Sequence, residues 1–138
     1  MEPTKVTVTT TVAAPIDQVW AYYTQPEHIT QWNFATDEWQ CPRAETDLRP
    51  GGKHSARMEA KDGSFGFDFE AVYDIINPPN QLSYTMADGR QATTLFEATG
   101  NATKVTTTFD AETMNDVDMQ QQGWQAILNN FKRYAEGK

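Results

Sequence analysis

Residues 117–135 read VDMQQQGWQAILNNFKRYA, and the spacing of their apolar side chains decides how the rest of the chain is understood. Val117, Trp124, Ile127, Leu128, Phe131, Tyr134 and Ala135 recur at intervals of three, four and seven, the stripe of a helix that buries one face. Asp110, Glu112, Asp116 and Asp118 gather at its start, and Lys132, Arg133 and Lys138 at its end, a polarity that suits the helix dipole. Thr113 or Asn115 is the expected N-cap. Gly123 inside the helix predicts close backbone packing at that point, because glycine there costs about 1 kcal/mol relative to alanine. A helix of about 20 residues spans about 30 Å, the width of a small domain, and it has to lie against something.

What precedes it reads as strand. Val6, Val8, Thr10 and Val12 alternate with Lys5, Thr7, Thr9 and Thr11, the period of a half-buried strand built from β-branched residues. Ala14-Pro15 ends it, and Ile16, Val19, Trp20 and Tyr23 then recur at helical spacing, with proline where a helix start tolerates it. A second short helix is expected after Pro26, through Ile29 to Trp32. From residue 42 to 110 the chain alternates between strands and turn signals. Pro50-Gly51-Gly52 opens a strand at His54–Met58, and Asp62-Gly63 turns into Phe65–Ile76. Asn77-Pro78-Pro79-Asn80 makes a corner before Leu82, Tyr84 and Met86. Asp88-Gly89 leads into Arg90–Ala98, and Gly100-Asn101 into Lys104–Phe109. The expected architecture is α+β: a curved antiparallel sheet of six or seven strands around a long C-terminal helix, with two short helices after the first strand. Such a layer pair encloses space in which a ligand can sit.

Composition narrows the function classes. The 138 residues suit one domain, spanning 1–138, with no repeat or low-complexity segment. Eleven basic against 19 acidic side chains leave a net charge of −8, which argues against sequence-independent binding to nucleic acid or anionic membranes. No apolar run approaches the roughly 20 residues that span a bilayer, and MEPTKVTVTT lacks the apolar region of a signal peptide. The expectation is a soluble, cytoplasmic protein. Cys41 is the only cysteine, which excludes an internal disulfide and a multi-cysteine zinc site. With only Arg43 as a basic neighbour it is not expected to be a reactive thiolate. The two histidines, His28 and His54, support neither a catalytic triad nor a metal-ligand pattern, and Gly51-Gly52 is not a phosphate loop. No cofactor is called for.

The run Ala13-Ala14-Pro15-Ile16-Asp17-Gln18-Val19-Trp20 resembles the opening of the START-like (SRPBCC, helix-grip) superfamily. Four later segments resemble its heat-shock-protein ATPase-activator-like branch. They are Ile29-Thr30-Gln31-Trp32, Arg49-Pro50-Gly51-Gly52-Lys53, Ile76-Asn77-Pro78-Pro79-Asn80-Gln81-Leu82 and Gly123-Trp124-Gln125-Ala126-Ile127-Leu128. The resemblance covers nearly the whole chain and implies the helix-grip fold, with a deep cavity for hydrophobic or amphipathic small molecules. It does not imply one chemistry, because the superfamily includes lipid carriers, hormone receptors, aromatic polyketide cyclases and a domain of a co-chaperone. The separate chaperone-binding domain of that co-chaperone does not fit within 138 residues, so direct chaperone activation is not expected.

Strand parity nominates the residues that would face such a cavity. His54 shares the parity of Ala56 and Met58, and an inward histidine could bind a ligand or act as acid or base near neutral pH. Phe67, Phe69, Ala71, Tyr73 and Ile75 form one face of their strand, with Asp68 and Glu70 on the other, solvated face. Tyr73 and Tyr84 could supply phenolic donors beside an apolar ligand. Gln120 and Gln121 fall within the helical stripe beside Trp124, where buried amides need partners or a polar cavity wall. Arg90 could clamp a carboxylate or phosphate, and Glu112 could pair with Arg90 or act as a base; a rim salt bridge or two solvated charges is the plainer alternative. The expected ligand-binding set is therefore His54, Met58, Phe69, Tyr73, Tyr84, Arg90, Glu112, Gln120, Gln121 and Trp124, with no metal ligands and no assigned catalytic residue. The expected function is binding of a hydrophobic or amphipathic small molecule by a monomer or homodimer. The alternatives are a cyclase- or aromatase-type enzyme acting on an aromatic substrate, and a chaperone-interacting module.

Overall fold

The computed structural model describes residues 4–112 and 116–137. Among these residues the elements run β1 (Lys5–Val12), α1 (Ile16–Thr24), α2 (Pro26–Trp32), β2 (Trp39–Gln40), β3 (Ala44–Thr46), β4 (Lys53–Ala60), β5 (Gly66–Asn77), β6 (Gln81–Met86), β7 (Gln91–Thr99), β8 (Ala102–Asp110) and α3 (Val117–Glu136). This is the helix-grip arrangement: one antiparallel sheet curled as a half-barrel, with a long C-terminal helix packed in it. Six of the eight strands follow the alternation and turn signals of the sequence. The other two, β2 and β3, are two and three residues long, too short to display a period, and they pair only with β4.

The sheet order is β1-β8-β7-β6-β5-β4-β2, with β3 also on β4. From β4 to β8 the strands form a meander, and β1 joins it beyond β8, in register from Lys5 opposite Asp110 to Val12 opposite Thr103. β1 is consequently an edge strand with unpaired backbone groups. The α3 helix attends to that edge. Gln125 Nε2 donates to the Thr9 carbonyl at 3.0 Å, Lys132 Nζ donates to the Thr11 carbonyl at 2.7 Å, and the Glu136 carboxylate accepts from the Ala13 N–H at 2.9 Å. These bonds set where the helix lies on the sheet.

The turns rest on the expected residues: Gly63 and Gly89 adopt φ of +79° and +93°, conformations that L side chains rarely enter. The start of α3 differs from expectation. Asp116 is its N-cap, its carboxylate accepting from the Asp118 N–H at 2.8 Å. Thr113 and Asn115, the residues nominated for that role, lie outside the described residues. Gly123 differs too. A Cβ built there meets nothing within 4 Å, so it borders open space rather than a close backbone contact.

A third correction concerns β5. Its register against β6 shifts between Tyr73 and Ile75, leaving Asp74 as the extra residue of a bulge. Parity inverts there, so Ile75 is exposed and Ile76 packs against the core instead. One inserted residue sends every later side chain to the opposite face.

The core is densest where the helices meet β1, β7 and β8. Val8, Val12, Val19, Phe96, Val105, Phe109 and Phe131 are all but inaccessible there. The Tyr23 ring lies 5.2 Å from Trp32, 5.3 Å from Phe96 and 5.2 Å from Phe131, tying α1, α2, β7 and α3 together. Trp124 of α3 stacks on Phe109 of β8 with centroids 3.9 Å apart. Packed mainly on β1 and the two short helices, α3 stands clear of the inner faces of β4 to β6. No helix of the described residues is long and apolar enough to cross a membrane.

Candidate functional site

The space left under α3 is a cavity of about 410 Å³, within the usual range for small-molecule sites. Its sheet wall carries His54 and Met58 from β4, Phe67 and Phe69 from β5, Tyr84 from β6, and Val8 and Thr107 from the far side. Arg90, from the turn before β7, and Glu112, just after β8, bring charge to it. Gln120, Trp124, Ile127 and Leu128 of α3 form the roof, and Tyr23, Ile29, Trp32 and Asn33 close one side.

The geometry brings together His54, Met58, Phe69, Tyr84, Arg90, Glu112, Gln120 and Trp124 from the expected set. Tyr73 and Gln121 do not join them. Tyr73 is buried behind the wall, its hydroxyl 3.0 Å from His54 Nδ1, and so it supports His54 rather than facing the cavity. Gln121 sits on the exposed side of α3. Strand parity missed the contribution of the short helices. Tyr23, Ile29 and Trp32 carried only the signal of an apolar helical face, which says nothing about whether that face meets core or space.

Gln120 has a structural task at the site. Its Oε1 accepts from the Glu112 N–H at 2.8 Å and its Nε2 donates to the Glu112 carbonyl at 3.1 Å. This pair of hydrogen bonds fastens the end of β8 to the first turns of α3, and it meets the polar demand that its place in the stripe raised. Arg90 is paired within its own turn. Its Nε donates to Asp88 Oδ2 at 2.7 Å and its backbone N–H to Asp88 Oδ1 at 3.1 Å. The ion pair of Arg90 is therefore with Asp88, and the Arg90–Glu112 pairing is not formed. Asn33 Nδ2 lies 3.5 Å from the Met58 sulfur, a weak contact across the cavity wall.

His54 on the cavity wall sits in an aromatic cluster. The Tyr84 ring lies parallel to the imidazole at a centroid distance of 5.8 Å, and Phe69 meets it edge-on at 5.8 Å. Burial among these rings disfavours the imidazolium and lowers the His54 pKa to about 4. Of the two roles open to an inward His54, ligand binding and acid–base work near neutral pH, this lowering disfavours the second, since the ring is neutral in that range. Burial also pushes the Tyr73 and Tyr84 hydroxyls above their ordinary value, so both remain protonated donors. Cys41 behaves as expected of an unreactive thiol. It is buried, with its sulfur 3.5 Å from the Arg43 carbonyl, and desolvation raises its pKa. Among the described residues no group of His, Cys, Asp or Glu is placed to hold a metal ion. The site offers an apolar, aromatic enclosure with a few neutral hydrogen-bonding groups and two charges near its border.

Residues 13–136 match the family described as Activator of Hsp90 ATPase homolog 1-like protein. The solution structure of an AHSA1-like protein from Aeromonas hydrophila is 40% identical, with a TM-score of 0.91 over 97% of this chain and 93% of that one. A protein from Cytophaga hutchinsonii, also solved in solution, is 46% identical, with a TM-score of 0.83 over 96% and 92%. A crystallised protein from Chromobacterium violaceum shares the fold at 18% identity, with a TM-score of 0.87 over 97% and 99%. No curated protein matches the chain in sequence. The match over most of its length, together with the helix-grip architecture, places this chain in the Activator of Hsp90 ATPase homolog 1-like family, a branch of the SRPBCC superfamily.

Proposed function

We propose that the chain binds a hydrophobic or amphipathic small molecule in the cavity beneath α3. The observation that carries this reading is a cavity of about 410 Å³ walled mainly by aromatic and aliphatic side chains. Sheltered apolar surface of this kind gains free energy when a ligand takes its place beside it. Neutral His54 and Tyr84 supply a few oriented polar contacts, and Arg90 and Glu112 lie where an amphipathic molecule would present a polar end.

The test fills the cavity from its own wall. Met58→Trp and Tyr84→Trp are each expected to weaken binding of the neutral dye phenylnaphthylamine at least tenfold, while the circular dichroism of the fold is retained. Unchanged dye affinity in both folded variants would show that the dye, and the proposed function, belong elsewhere on the molecule.

A further inference from the structure

Two polar atoms on the cavity wall have no partner among the described residues. Among these residues His54 bonds only through Nδ1, to the Tyr73 hydroxyl at 3.0 Å, which leaves Nε2 unused. The Tyr84 hydroxyl bonds to nothing among the described residues, whereas the Tyr23 hydroxyl is 3.3 Å from Thr94 Oγ1. Among the described residues no side-chain nitrogen or oxygen is both sealed from open space and unpartnered. Both atoms therefore reach open space, and since both residues line the cavity, that space is the cavity's.

The proton on His54 can be placed by the needs of Tyr73. The Tyr73 side chain is buried, and His54 Nδ1 is the only partner of its hydroxyl among the described residues. If Nδ1 carried the proton, the Tyr73 hydroxyl hydrogen would be buried without an acceptor, at the usual cost of an unmade hydrogen bond. If Tyr73 donates to Nδ1, both groups are satisfied and the imidazole proton stands on Nε2. The wall then presents an N–H and an O–H from adjacent, parallel rings. We propose that His54 Nε2–H and the Tyr84 hydroxyl together receive an uncharged carbonyl oxygen on an otherwise apolar ligand. This rests on the binding reading above and names the ligand class of that same site.

An anion fits this position less well. Phe69 meets both rings edge-on, and the cation on the cavity border, Arg90, has its Nε engaged by Asp88. A carboxylate there would exchange water for two neutral donors and an apolar wall. A pure hydrocarbon would cover both donors and leave them unbonded.

Three probes of nearly equal size separate these cases: methyl naphthyl ketone, ethylnaphthalene and naphthoate, titrated into the wild-type protein by NMR. The ketone is expected to bind about tenfold or more tighter than ethylnaphthalene and tighter than naphthoate. In Tyr84→Phe the ketone's advantage over the hydrocarbon should shrink, while ethylnaphthalene affinity stays within twofold. The ¹⁵N spectrum of the free protein should show His54 protonated at Nε2, with that nitrogen shifting on ketone addition. Equal affinities of ketone and hydrocarbon, preference for naphthoate, or a proton on Nδ1 would each overturn the assignment while leaving the cavity as a binding site. Failure of all three probes to bind would overturn the binding reading and this assignment with it.

Discussion

Acidification offers a direct test of how His54 is held. Its pKa is about 4 in the folded protein against 6.5 in the ordinary imidazole, because burial among Phe69, Tyr73 and Tyr84 removes the ring from water. Between those two values the unfolded chain binds a proton at His54 and the folded chain does not. Stability therefore rises with pH across that interval, and is lost as pH falls from 6.5 towards 4. At about 1.4 kcal/mol per pH unit the whole interval is worth about 3 kcal/mol, of which about 2 kcal/mol is gone by pH 4.5. These are upper values, since the ring keeps one edge on the cavity. Carboxylates with depressed pKa values act at lower pH. Glu136, held down by the Lys132 ammonium and the Ala13 N–H, and Asp62, held down by Ser64, lose their contributions only below their own ordinary range. The assay is urea unfolding at pH 7 and pH 4.5 for wild type and His54→Gln, beside an NMR titration of the two histidine rings. Wild type should lose about 2 kcal/mol more than the variant between the two pH values. A His54 ring titrating near 6.5, or equal acid sensitivity in both proteins, would refute the reasoning.

Other substitutions probe the frame around the cavity. Gly123→Ala should raise stability by up to about 1 kcal/mol in thermal unfolding, because the added methyl meets nothing within 4 Å and the helix gains propensity. Asp116→Ala should lower stability by about 1 kcal/mol, measured the same way, through loss of the bond to the Asp118 N–H. Phe109→Ala should cost about 3–5 kcal/mol in urea unfolding and alter the Trp124 near-ultraviolet signal, since Phe109 is inaccessible and carries the Trp124 stack.

The strands and helices were legible because their signals are local. Alternation in Val6, Val8 and Val12, the glycine turns at Gly63 and Gly89, and the stripe from Val117 to Ala135 each lie within one element, and any fold that buries those faces must respect them. The bulge at Asp74 left no such trace, because one inserted residue changes parity without changing composition, and it carried Ile75 to the surface. Strands β2 and β3 exist only because β4 offers them an edge. The open space at Gly123 depends on what faces the helix, which glycine itself cannot report.

At the site, local pattern by itself determined the side of each element on which His54, Met58, Phe69, Tyr84 and Trp124 lie, since side-chain direction follows from the strand or helix period. Parity gives a side but not a depth. Tyr73 and Tyr84 share the inner face, yet only Tyr84 borders the cavity, and Gln120 is claimed by the backbone of Glu112 while Gln121 faces outward. Those outcomes follow from where α3 comes to rest: bonded to the edge of β1, it stands off β4 to β6 and leaves the gap. Only the tertiary structure could decide which inward side chains meet a partner and which meet open space, because that distance is set by residues more than a hundred positions apart in the chain.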